Sequence, residues 1–296
     1  MKEKYTIEKA QSGFYESLPR PTQKQLDEFY TNLYYGDGVT DTYPQEYSEI
    51  EIKQKKLRAD CTVELLSQNI ESDKKNISAL EIGSGEGFVI KSCMMKGWKI
   101  KGVDYQVGPI EKLNPDVIKN FLEADPNIFL QDAIKNNDRY DVIILQNVLE
   151  HVIDPEKMFK QLLSIVETNG SLLIQVPDDF SDLQKLAKEQ KIIDKDYWIC
   201  PPQHLNYFNS KNFENFVKSN GGHIVDAITD FPIEMYLWGN KSNYVTDKSI
   251  GNLSHMARVN LDVFISRSGI KNYVDFYRSL YKVGLGRNVI AVIKNS

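Results

Sequence analysis

Short apolar runs alternate with amphipathic stretches through the middle of this 296-residue chain. The runs predict five strands separated by helices, at Ile77–Ile82, Trp98–Asp104, Ile128–Gln131, Tyr140–Gln146 and Ser171–Val176. The run Val142–Leu145 is apolar without interruption, which is typical of a strand covered by helices on both faces. This order of elements predicts a parallel sheet built from βαβ units.

The pattern changes after the fifth strand. It predicts a helix at Asn212–Lys218 and strands at His223–Ile228 and Asn288–Lys294, the last of which closes the sheet. Between those strands lies a polar and aromatic insertion with amphipathic helices near Asn252–Ile265 and Tyr273–Val283. We therefore expect an α/β fold. Its Rossmann-like, doubly wound, mostly parallel seven-stranded sheet would have a helical N-terminal extension and an α-helical insertion before the last strand.

Composition and charge exclude several classes of protein. No apolar run approaches the length of a membrane span, and residues 1–15 lack the apolar segment of a secretory signal, so we expect a soluble, cytoplasmic protein. Cys61, Cys93 and Cys200 lie too far apart for a disulfide framework or a cysteine zinc site. The net charge is −5 without a concentrated basic stripe, which argues against a nucleic-acid partner and favours a small-molecule substrate.

A glycine-rich turn follows the first predicted strand. Gly83, Gly85 and Gly87, with Ser84 between the first two, allow the backbone to turn sharply and to approach a ligand closely. Asp104 ends the second predicted strand, where its carboxylate is placed to accept hydrogen bonds from both hydroxyls of an adenosine ribose. An ordinary strand-to-helix turn and a solvated strand end are the structural alternatives.

Two residues distinguish between the cofactors that such a turn binds. Phe88 occupies the place of the third glycine of G-x-G-x-x-G, where a bulky ring hinders the close packing of helix and strand that dinucleotide binding needs. The carboxylate of Glu81 would repel a pyrophosphate, whereas it would attract the amino group of a methionine moiety. Both observations favour S-adenosyl-L-methionine over NAD.

With these residues the chain resembles the class I methyltransferases, from residue 77 to about residue 230. Glu81–Gly87 matches their first motif, and Asp132-Ala133 is similar to the pair that contacts adenine after the third strand. Gln146–Pro155 resembles the L-E-H-V-x-D-P signature of the ubiquinone-type and sugar-modifying branch. The resemblance implies a cofactor-binding set made of Glu81, Gly83, Ser84, Gly85, Gly87, Asp104, Tyr105, Asp132, Ala133, Gln146, Asn147 and His151.

Two histidines are candidates for the base that a hydroxyl acceptor requires. His204 lies in a segment similar to the H-L-x-Y-F element of the sugar-modifying branch and is our first candidate, with a structural role in ordering its loop as the alternative. His151 is the second candidate, and its alternatives are a helix cap or a support for the cofactor's methionine end. Some ubiquinone-type relatives use E-x-x-E-H for a divalent cation, but Asn147 replaces the first glutamate here. We therefore expect no metal.

The resemblance and the element order together predict four segments. Residues 1–70 form an N-terminal extension or lid, and residues 71–234 the domain that binds S-adenosylmethionine. Residues 235–287 form an insertion for acceptor binding or dimerisation, and residues 288–296 the final strand. The insertion contains aromatic rings beside amide side chains, which suit either a sugar ligand or a homodimer interface. These residues are Tyr236, Trp238, Asn240, Asn243 and Tyr244.

The sequence favours methyl transfer to a hydroxyl or amine of a small molecule, with a sugar nucleotide or surface-glycan precursor as acceptor. The N-terminal Pro19-x-Pro21-Thr22, followed by aromatic residues that include Tyr30 and Tyr34, is similar to the leader of methyltransferases from surface-polysaccharide gene sets. Two alternatives remain. One is a nicotinamide-dependent oxidoreductase on the same type of sheet, and the other is a non-catalytic partner protein that keeps the cofactor pocket.

Overall fold

The computed structural model describes residues 5–29, 46–70 and 76–296. The strands in chain order are β1 (Thr6–Lys9), β2 (Tyr15–Leu18), β3 (Ser78–Ile82), β4 (Lys99–Asp104), β5 (Phe121–Glu123), β6 (Tyr140–Gln146), β7 (Val166–Pro177), β8 (Asn206–Tyr207), β9 (Gly222–Ile228) and β10 (Asn288–Asn295). The helices are α1 (Gln23–Phe29), α2 (Glu49–Ser67), α3 (Phe88–Met95), α4 (Gly108–Leu113), α5 (Pro126–Lys135), α6 (Pro155–Ser164), α7 (Asp182–Glu189), α8 (Ser210–Ser219), α9 (Gly251–Ile265) and α10 (Ile270–Lys282).

Seven strands form one central sheet in the order β5-β4-β3-β6-β7-β10-β9. The ladders from β5 to β7 are parallel, and β10 pairs antiparallel with both β7 and β9. The expected Rossmann-like α/β fold with a mostly parallel seven-stranded sheet is therefore confirmed. Because strand order reverses between β3 and β6, a crevice opens there at the carboxyl ends of the strands.

Alternate residues of the central strands enter two separate apolar cores. Ile143 and Leu145 of β6 pack on the side of α5, α6 and α8, whereas Val142 and Ile144 pack on the side of α2, α3 and α10. All four side chains are fully buried. Burial on both faces explains the uninterrupted apolar run in this strand, and it fixes the register that places the strand ends along one edge.

The third strand corrects the sequence prediction. Ile128–Gln131 lies within α5 rather than in a strand, and the strand at this position is the three-residue β5 at the edge of the sheet. Asp125 caps α5 by accepting a hydrogen bond from the backbone N–H of Asn127, and Pro126 takes the first helical position. These are strong helix-start signals, and they outweigh the apolar run Ile128–Leu130 that follows.

A small antiparallel sheet of β1, β2 and β8 attaches the N-terminal residues to the loop that carries His204. The guanidinium of Arg20 strengthens this attachment by donating to the carbonyl of Leu205 at 2.9 Å and to the amide oxygen of Asn206 at 2.6 Å. The sequence did not predict this sheet. Tyr30 and Tyr34 of the predicted lid lie outside the residues that the structure describes.

The insertion between β9 and β10 folds back over the first long helix. Its helices α9 and α10 both pack against α2, and α10 also contacts β9. Helix α2 and the insertion thus share one face of the sheet, whereas Phe14, between β1 and β2, packs in the core on the other face. Throughout the described ranges, every helix is too short or too polar to cross a lipid bilayer.

Candidate functional site

A cavity of about 1800 Å³ lies at the carboxyl ends of the parallel strands. Pockets for one small ligand usually have about 300–1,000 Å³, so this space accommodates a cofactor together with a second molecule. We call the part lined by the glycine loop, Asp104 and the start of α5 the cofactor end. Other walls of the cavity are formed by α9 with the residues after β9, and by His151 with the first turns of α6.

The glycine loop and Asp104 hold each other in place at the cofactor end. The backbone N–H of Gly85 donates to Oδ2 of Asp104 at 2.7 Å, and the N–H of Tyr105 donates to Oδ1 at 2.7 Å. Burial raises the pKa of Asp104, while these two hydrogen bonds act in the opposite direction. The carboxylate is thus oriented by the loop and borders the cavity, as the sequence predicted for a group that binds ribose hydroxyls.

Glu81 is a buried carboxyl group that lines the same end of the cavity. Its Oε2 has no hydrogen-bond partner among the described residues. Burial raises the pKa of Glu81 well above its usual range, and the charge of Asp104 raises it further. A cationic ligand group would remove both effects by solvating and neutralising the carboxylate.

The adenine pair predicted at Asp132 and Ala133 is displaced by the correction of the third strand. Asp132 is exposed on the third turn of α5, Ala133 is buried in the apolar core, and neither residue lines the cavity. Asp125 and the following residues of the helix start line it instead. An Asp-Pro pair ahead of a helical pattern was the signal that identifies this position in the sequence.

An amide network joins the ends of β6 and β7. The side chain of Gln146 donates to Oε1 of Gln175 at 3.0 Å, and Nε2 of Gln175 donates to Oδ1 of Asn147 at 3.1 Å. Asn147 has a left-handed backbone conformation with φ of 54°, which asparagine tolerates better than most residues. All three side chains line the cavity, so the predicted positions of Gln146 and Asn147 are at the site.

His151 faces the cavity with Glu150 buried beside it. Nδ1 of His151 donates to the carbonyl oxygen of Gln203 at 2.6 Å, which leaves Nε2 as the ring's acceptor, 3.7 Å from Oε1 of Glu150. Burial lowers the pKa of His151 to about 4 and raises the pKa of Glu150 to about 8. The two groups are therefore both uncharged near neutral pH and form no ion pair, although they lie only 3.7 Å apart.

His204 reaches this site from a loop about fifty residues further along the chain. Its ring meets the ring of His151 edge-on with centroids 4.9 Å apart, but His204 itself does not line the cavity. Burial lowers the pKa of His204 to about 3, and Nδ1 has no hydrogen-bond partner among the described residues. The structure brings the two predicted histidines together, and it places His151 nearer to the cavity.

Glu150, His151 and His204 together offer a nitrogen-rich group of metal-ligand atoms, all within 4.8 Å of one another. The sequence argument against a metal considered only Asn147, Glu150 and His151, which are contiguous in the chain. The third group comes from the loop before β8, where the N–H groups of Leu205 and Asn206 both donate to the carbonyl of Glu150. No sequence pattern indicated this contact.

The N-terminal helix α2 adds residues that the sequence did not single out. Tyr47, just ahead of α2, donates its hydroxyl to Oε1 of Glu86 at 2.5 Å, and Lys55 forms an ion pair with Oε2 at 2.6 Å. Glu86 belongs to the glycine loop, so these contacts fix α2 over the cofactor end. Further along α2, Gln54 and Arg58 also line the cavity.

The insertion reaches the cavity through residues other than those predicted. Tyr236, Trp238, Asn240, Asn243 and Tyr244 do not line it. Trp238 and Asn243 instead donate to Gln190 and to the carbonyl of Ile192, which lie in and just after α7. The insertion residues that line the cavity are on α9 and α10, namely Gly251, Asn252, His255, Arg258, Tyr273 and Tyr277.

Known proteins with similar sequences point to one family. A family model described as a methyltransferase domain matches residues 53–226. Ubiquinone biosynthesis O-methyltransferase of Pelagibacter ubique (strain HTCC1062) is 30% identical over 105 residues, which are 35% of this chain and 44% of that enzyme. The enzyme of the same name from Rickettsia prowazekii (strain Madrid E) is 25% identical over 179 residues, 58% of this chain and 66% of that enzyme. The chain thus spans less than two thirds of the length of either relative.

Solved structures share the architecture. A SAM-dependent methyltransferase from Archaeoglobus fulgidus aligns over 84% of this chain and 100% of that one, with a TM-score of 0.48 and 18% identity. A chain from the complex of the Haloferax volcanii Trm112 methyltransferase activator with a methyltransferase aligns over 83% and 92%, with a TM-score of 0.50 and 12% identity. At these identities the likeness concerns the fold alone.

Proposed function

Because the chain belongs to the methyltransferase-domain family and its cofactor is S-adenosyl-L-methionine, we propose that it methylates a hydroxyl or amine of a small molecule. The observation that carries the proposal is the buried, unpartnered carboxyl oxygen of Glu81 beside the loop-bound carboxylate of Asp104. Both groups open into a cavity that continues to His151.

The residues present fit this cofactor. Asp104 has the orientation to accept hydrogen bonds from ribose hydroxyls, and Asp125 lines the wall beyond it. Glu81 offers a buried carboxyl oxygen to an ammonium group, and Gly83 has no side chain to obstruct the ligand. The bound cofactor supplies an electrophilic methyl group on a sulfonium centre. The chain's own contribution is to bind the two molecules in line and to exclude water.

The proposed base acts through the two histidines. His151 lines the cavity, and Nε2 is its acceptor nitrogen because Nδ1 donates to Gln203. His204 contacts the same ring edge-on, and we propose that it supports His151 or takes the proton in turn. Both rings are uncharged near neutral pH, since burial lowers their pKa values, so they are in the form that accepts a proton.

For the acceptor we propose a sugar nucleotide or a glycan precursor. The support is the similarity of Gln146–Pro155 and of His204–Phe208 to elements of the sugar-modifying branch, together with the polar wall of the cavity formed by α9. The relatives reported above are named as ubiquinone biosynthesis enzymes, so a hydroxyl on an aromatic ring is the acceptor class to test beside sugars. We also propose that the insertion, residues 235–287, forms the acceptor side of the site.

Calorimetry with S-adenosylhomocysteine and with NAD tests the cofactor end. We expect the first ligand alone to bind, and Asp104→Ala to weaken it by about tenfold or more through loss of the ribose contacts. Asp132→Ala removes the same charge from an exposed helix position outside the cavity and should bind as the wild type does. Binding of NAD in place of S-adenosylhomocysteine would contradict the proposal.

Formation of S-adenosylhomocysteine from S-adenosylmethionine tests the reaction. The purified protein is incubated separately with a panel of sugar nucleotides and with a panel of dihydroxybenzoates. Turnover with the sugar nucleotides supports the proposed acceptor. Turnover with the dihydroxybenzoates alone would show that the acceptor is a hydroxyl on an aromatic ring instead. A protein that binds the cofactor but turns over with neither panel in the presence or absence of divalent metal would contradict the acceptor proposal.

A further inference from the structure

A seam of polar side chains joins α2 to α9 along one wall of the cavity. The polar seam consists of Glu51, Gln54 and Arg58 on α2 and of His255, Arg258 and Asp262 on α9. Their spacing of three or four residues puts each set on one helix face. All of these residues except Asp262 line the cavity.

Most polar groups of the polar seam form hydrogen bonds or ion pairs with one another. Asp262 is buried and accepts hydrogen bonds from the hydroxyls of Tyr273 and Tyr277 at 2.5 and 2.6 Å and from Gln54 at 2.8 Å. Nε of Arg58 lies 3.5 Å from Asp262, and its Nη2 lies 3.4 Å from Asp230, the second residue after β9. Arg58 is thus balanced by two carboxylates.

Arg258 differs from Arg58 because no carboxylate in the described parts of the chain forms an ion pair with it. Its Nη2 donates to Nδ1 of His255 at 3.1 Å, and Nε2 of His255 lies 2.9 Å from Oε1 of Glu51. Since a guanidinium only donates, His255 accepts at Nδ1 and carries its proton on Nε2, where it donates to Glu51. Arg258 is therefore anchored by an imidazole rather than by a carboxylate. Its Nε has no hydrogen-bond partner among the described residues; Nε of Arg58 has none either, but it lies within ion-pair distance of Asp262.

A largely buried arginine without a direct ion pair has a definite cost. Burial lowers the pKa of Arg258 and the positive charge of Arg58 lowers it further, whereas the charges of Asp230 and Asp262 offset only part of these effects. A well-packed apolar side chain at this position would avoid that cost. A ligand that carries negative charge and two acceptor oxygens would instead match the unused face of the guanidinium.

We propose that Arg258, beside Arg58, binds an anionic group of the acceptor at the wall of the cavity formed by α9. The inference rests on the proposed function, in that the cofactor occupies the part of the cavity lined by the glycine loop and Asp104. The shared chemistry of the ligand is an oxyanion, which is a phosphate in a nucleotide-linked or phosphorylated acceptor and a carboxylate in an acidic one. The acceptor is held by its charged end at α9 so that its nucleophile points toward His151.

Binding of small anions to the protein saturated with S-adenosylhomocysteine tests this site. Calorimetry at fixed ionic strength uses inorganic pyrophosphate as the phosphate probe and succinate as the carboxylate probe. We expect at least one of them to bind the wild type and Arg258→Gln to weaken that binding by about tenfold or more. Arg267→Gln removes an arginine that is exposed just beyond α9 and should leave the probe affinity unchanged. The stronger probe identifies the class of anion.

The affinity for S-adenosylhomocysteine separates this inference from the proposed function. Arg258→Gln is expected to bind S-adenosylhomocysteine as the wild type does, and this binding also demonstrates that the variant is folded. Arg258→Lys retains the charge without the paired donors, so its affinity for the anion probe should lie between those of the wild type and Arg258→Gln. If neither probe binds the wild type, or if Arg258→Gln leaves probe binding intact, the anion site is wrong. If both Arg258 variants are folded and lose the homocysteine compound, the arginine serves the cofactor and the inference is overturned. Failure of the wild type to bind the homocysteine compound would count against the proposed function instead.

Discussion

Glu81 and Asp104 lie on the neighbouring parallel strands β3 and β4, and the charge of Asp104 adds to burial in raising the pKa of Glu81 well above its usual range. Without a ligand, Glu81 therefore binds a proton more readily than an ordinary glutamate does. An ammonium group beside it would stabilise the ionised form, so binding and proton release are linked.

We predict that S-adenosylhomocysteine binds with release of up to about one proton near neutral pH. The number of protons is measured by calorimetry in buffers of different ionisation enthalpy. Glu81→Gln should abolish the release and weaken the binding, because the amide cannot ionise. Equal proton release in the wild type and in Glu81→Gln would exclude Glu81 as its source.

Gly83 is expected to tolerate no side chain. Its φ is +75°, and a Cβ at this position would lie 2.5 Å from Cγ2 of Val148 in the segment after β6. Gly83→Ala therefore combines a strained backbone with a displaced loop, and we expect an affinity for S-adenosylhomocysteine at least about tenfold lower. The matched control is Gly97→Ala, whose φ is +84° but whose Cβ would meet nothing within 4 Å. This control should lose about 1 kcal/mol of stability or slightly more and keep its affinity.

The two histidines are expected to affect turnover rather than cofactor binding. With an acceptor identified, His151→Asn should lower kcat by about a hundredfold or more, since it removes the imidazole that is the proposed base. His204→Ala should also lower kcat, because it removes the ring that contacts His151. Affinity for S-adenosylhomocysteine is the check on folding in both cases. A His204→Ala protein that binds this ligand and turns over at the wild-type rate would eliminate His204 as base or support.

Glu150 is expected to make the folded state less stable as pH rises. Its pKa is raised by burial to about 8 in the folded protein, against about 4.5 when unfolded, so the folded state binds more protons between these values. The contribution of this group to stability is present below pH 4.5 and is lost as pH rises toward 8. Relative to the wild type, Glu150→Gln should gain up to about 1.4 kcal/mol per pH unit in that window, measured by urea unfolding.

Two controls define what the Glu150 result means. Glu189→Gln changes an exposed glutamate on α7 and should show no such trend. The measurements are made after treatment with a chelator, because a cation held by Glu150, His151 and His204 would keep the carboxylate ionised. If the difference in unfolding free energy between Glu150→Gln and the chelator-treated wild type does not change with pH, Glu150 is already charged in the folded protein.

Asp262 is expected to be the most sensitive residue of the polar seam. It receives hydrogen bonds from two tyrosines and a glutamine, and it balances Arg58 in a buried position. Asp262→Ala leaves these donors unpaired and should lower the free energy of unfolding by about 3–5 kcal/mol. Asp138→Ala, at an exposed position, should change it by less than about 0.5 kcal/mol. A loss for Asp262→Ala as small as that of the control would mean that water replaces the carboxylate.

The sheet was predictable because burial on both faces leaves a local pattern in the sequence. β6 matches its predicted range, Tyr140–Gln146, and β3 and β4 each begin one residue later than predicted. β5 was not predictable in this way, because it has three residues at the edge of the sheet and only one neighbouring strand. The apolar run that was assigned to it lies in α5, where Leu130 is buried in the core and Ile128 is exposed.

At the cofactor end, the positions of Glu81, Gly83 and Asp104 were predictable for the same reason, since they lie at or directly after the ends of strands, whereas Asp132 and Ala133 were misplaced together with the third strand. The rest of the cavity depends on contacts between distant segments. Arg58 and Asp262 are separated by about two hundred residues, and His204 reaches Glu150 only because the loop before β8 pairs with it. No local pattern encodes such contacts, and the polar positions of α2 and α9 resemble ordinary solvent-facing ones until the two helices are packed together.

The position of β10 determines how the insertion joins the sheet. β10 pairs with β9 on one side and β7 on the other, so the segment between β9 and β10 starts and finishes on adjacent strands. A change of length or sequence within that segment requires no change in the order of the strands. On the proposed assignment of the insertion to the acceptor side, the molecule that is methylated can therefore diverge through one stretch of the chain while the strands that carry Glu81 and Asp104 are kept.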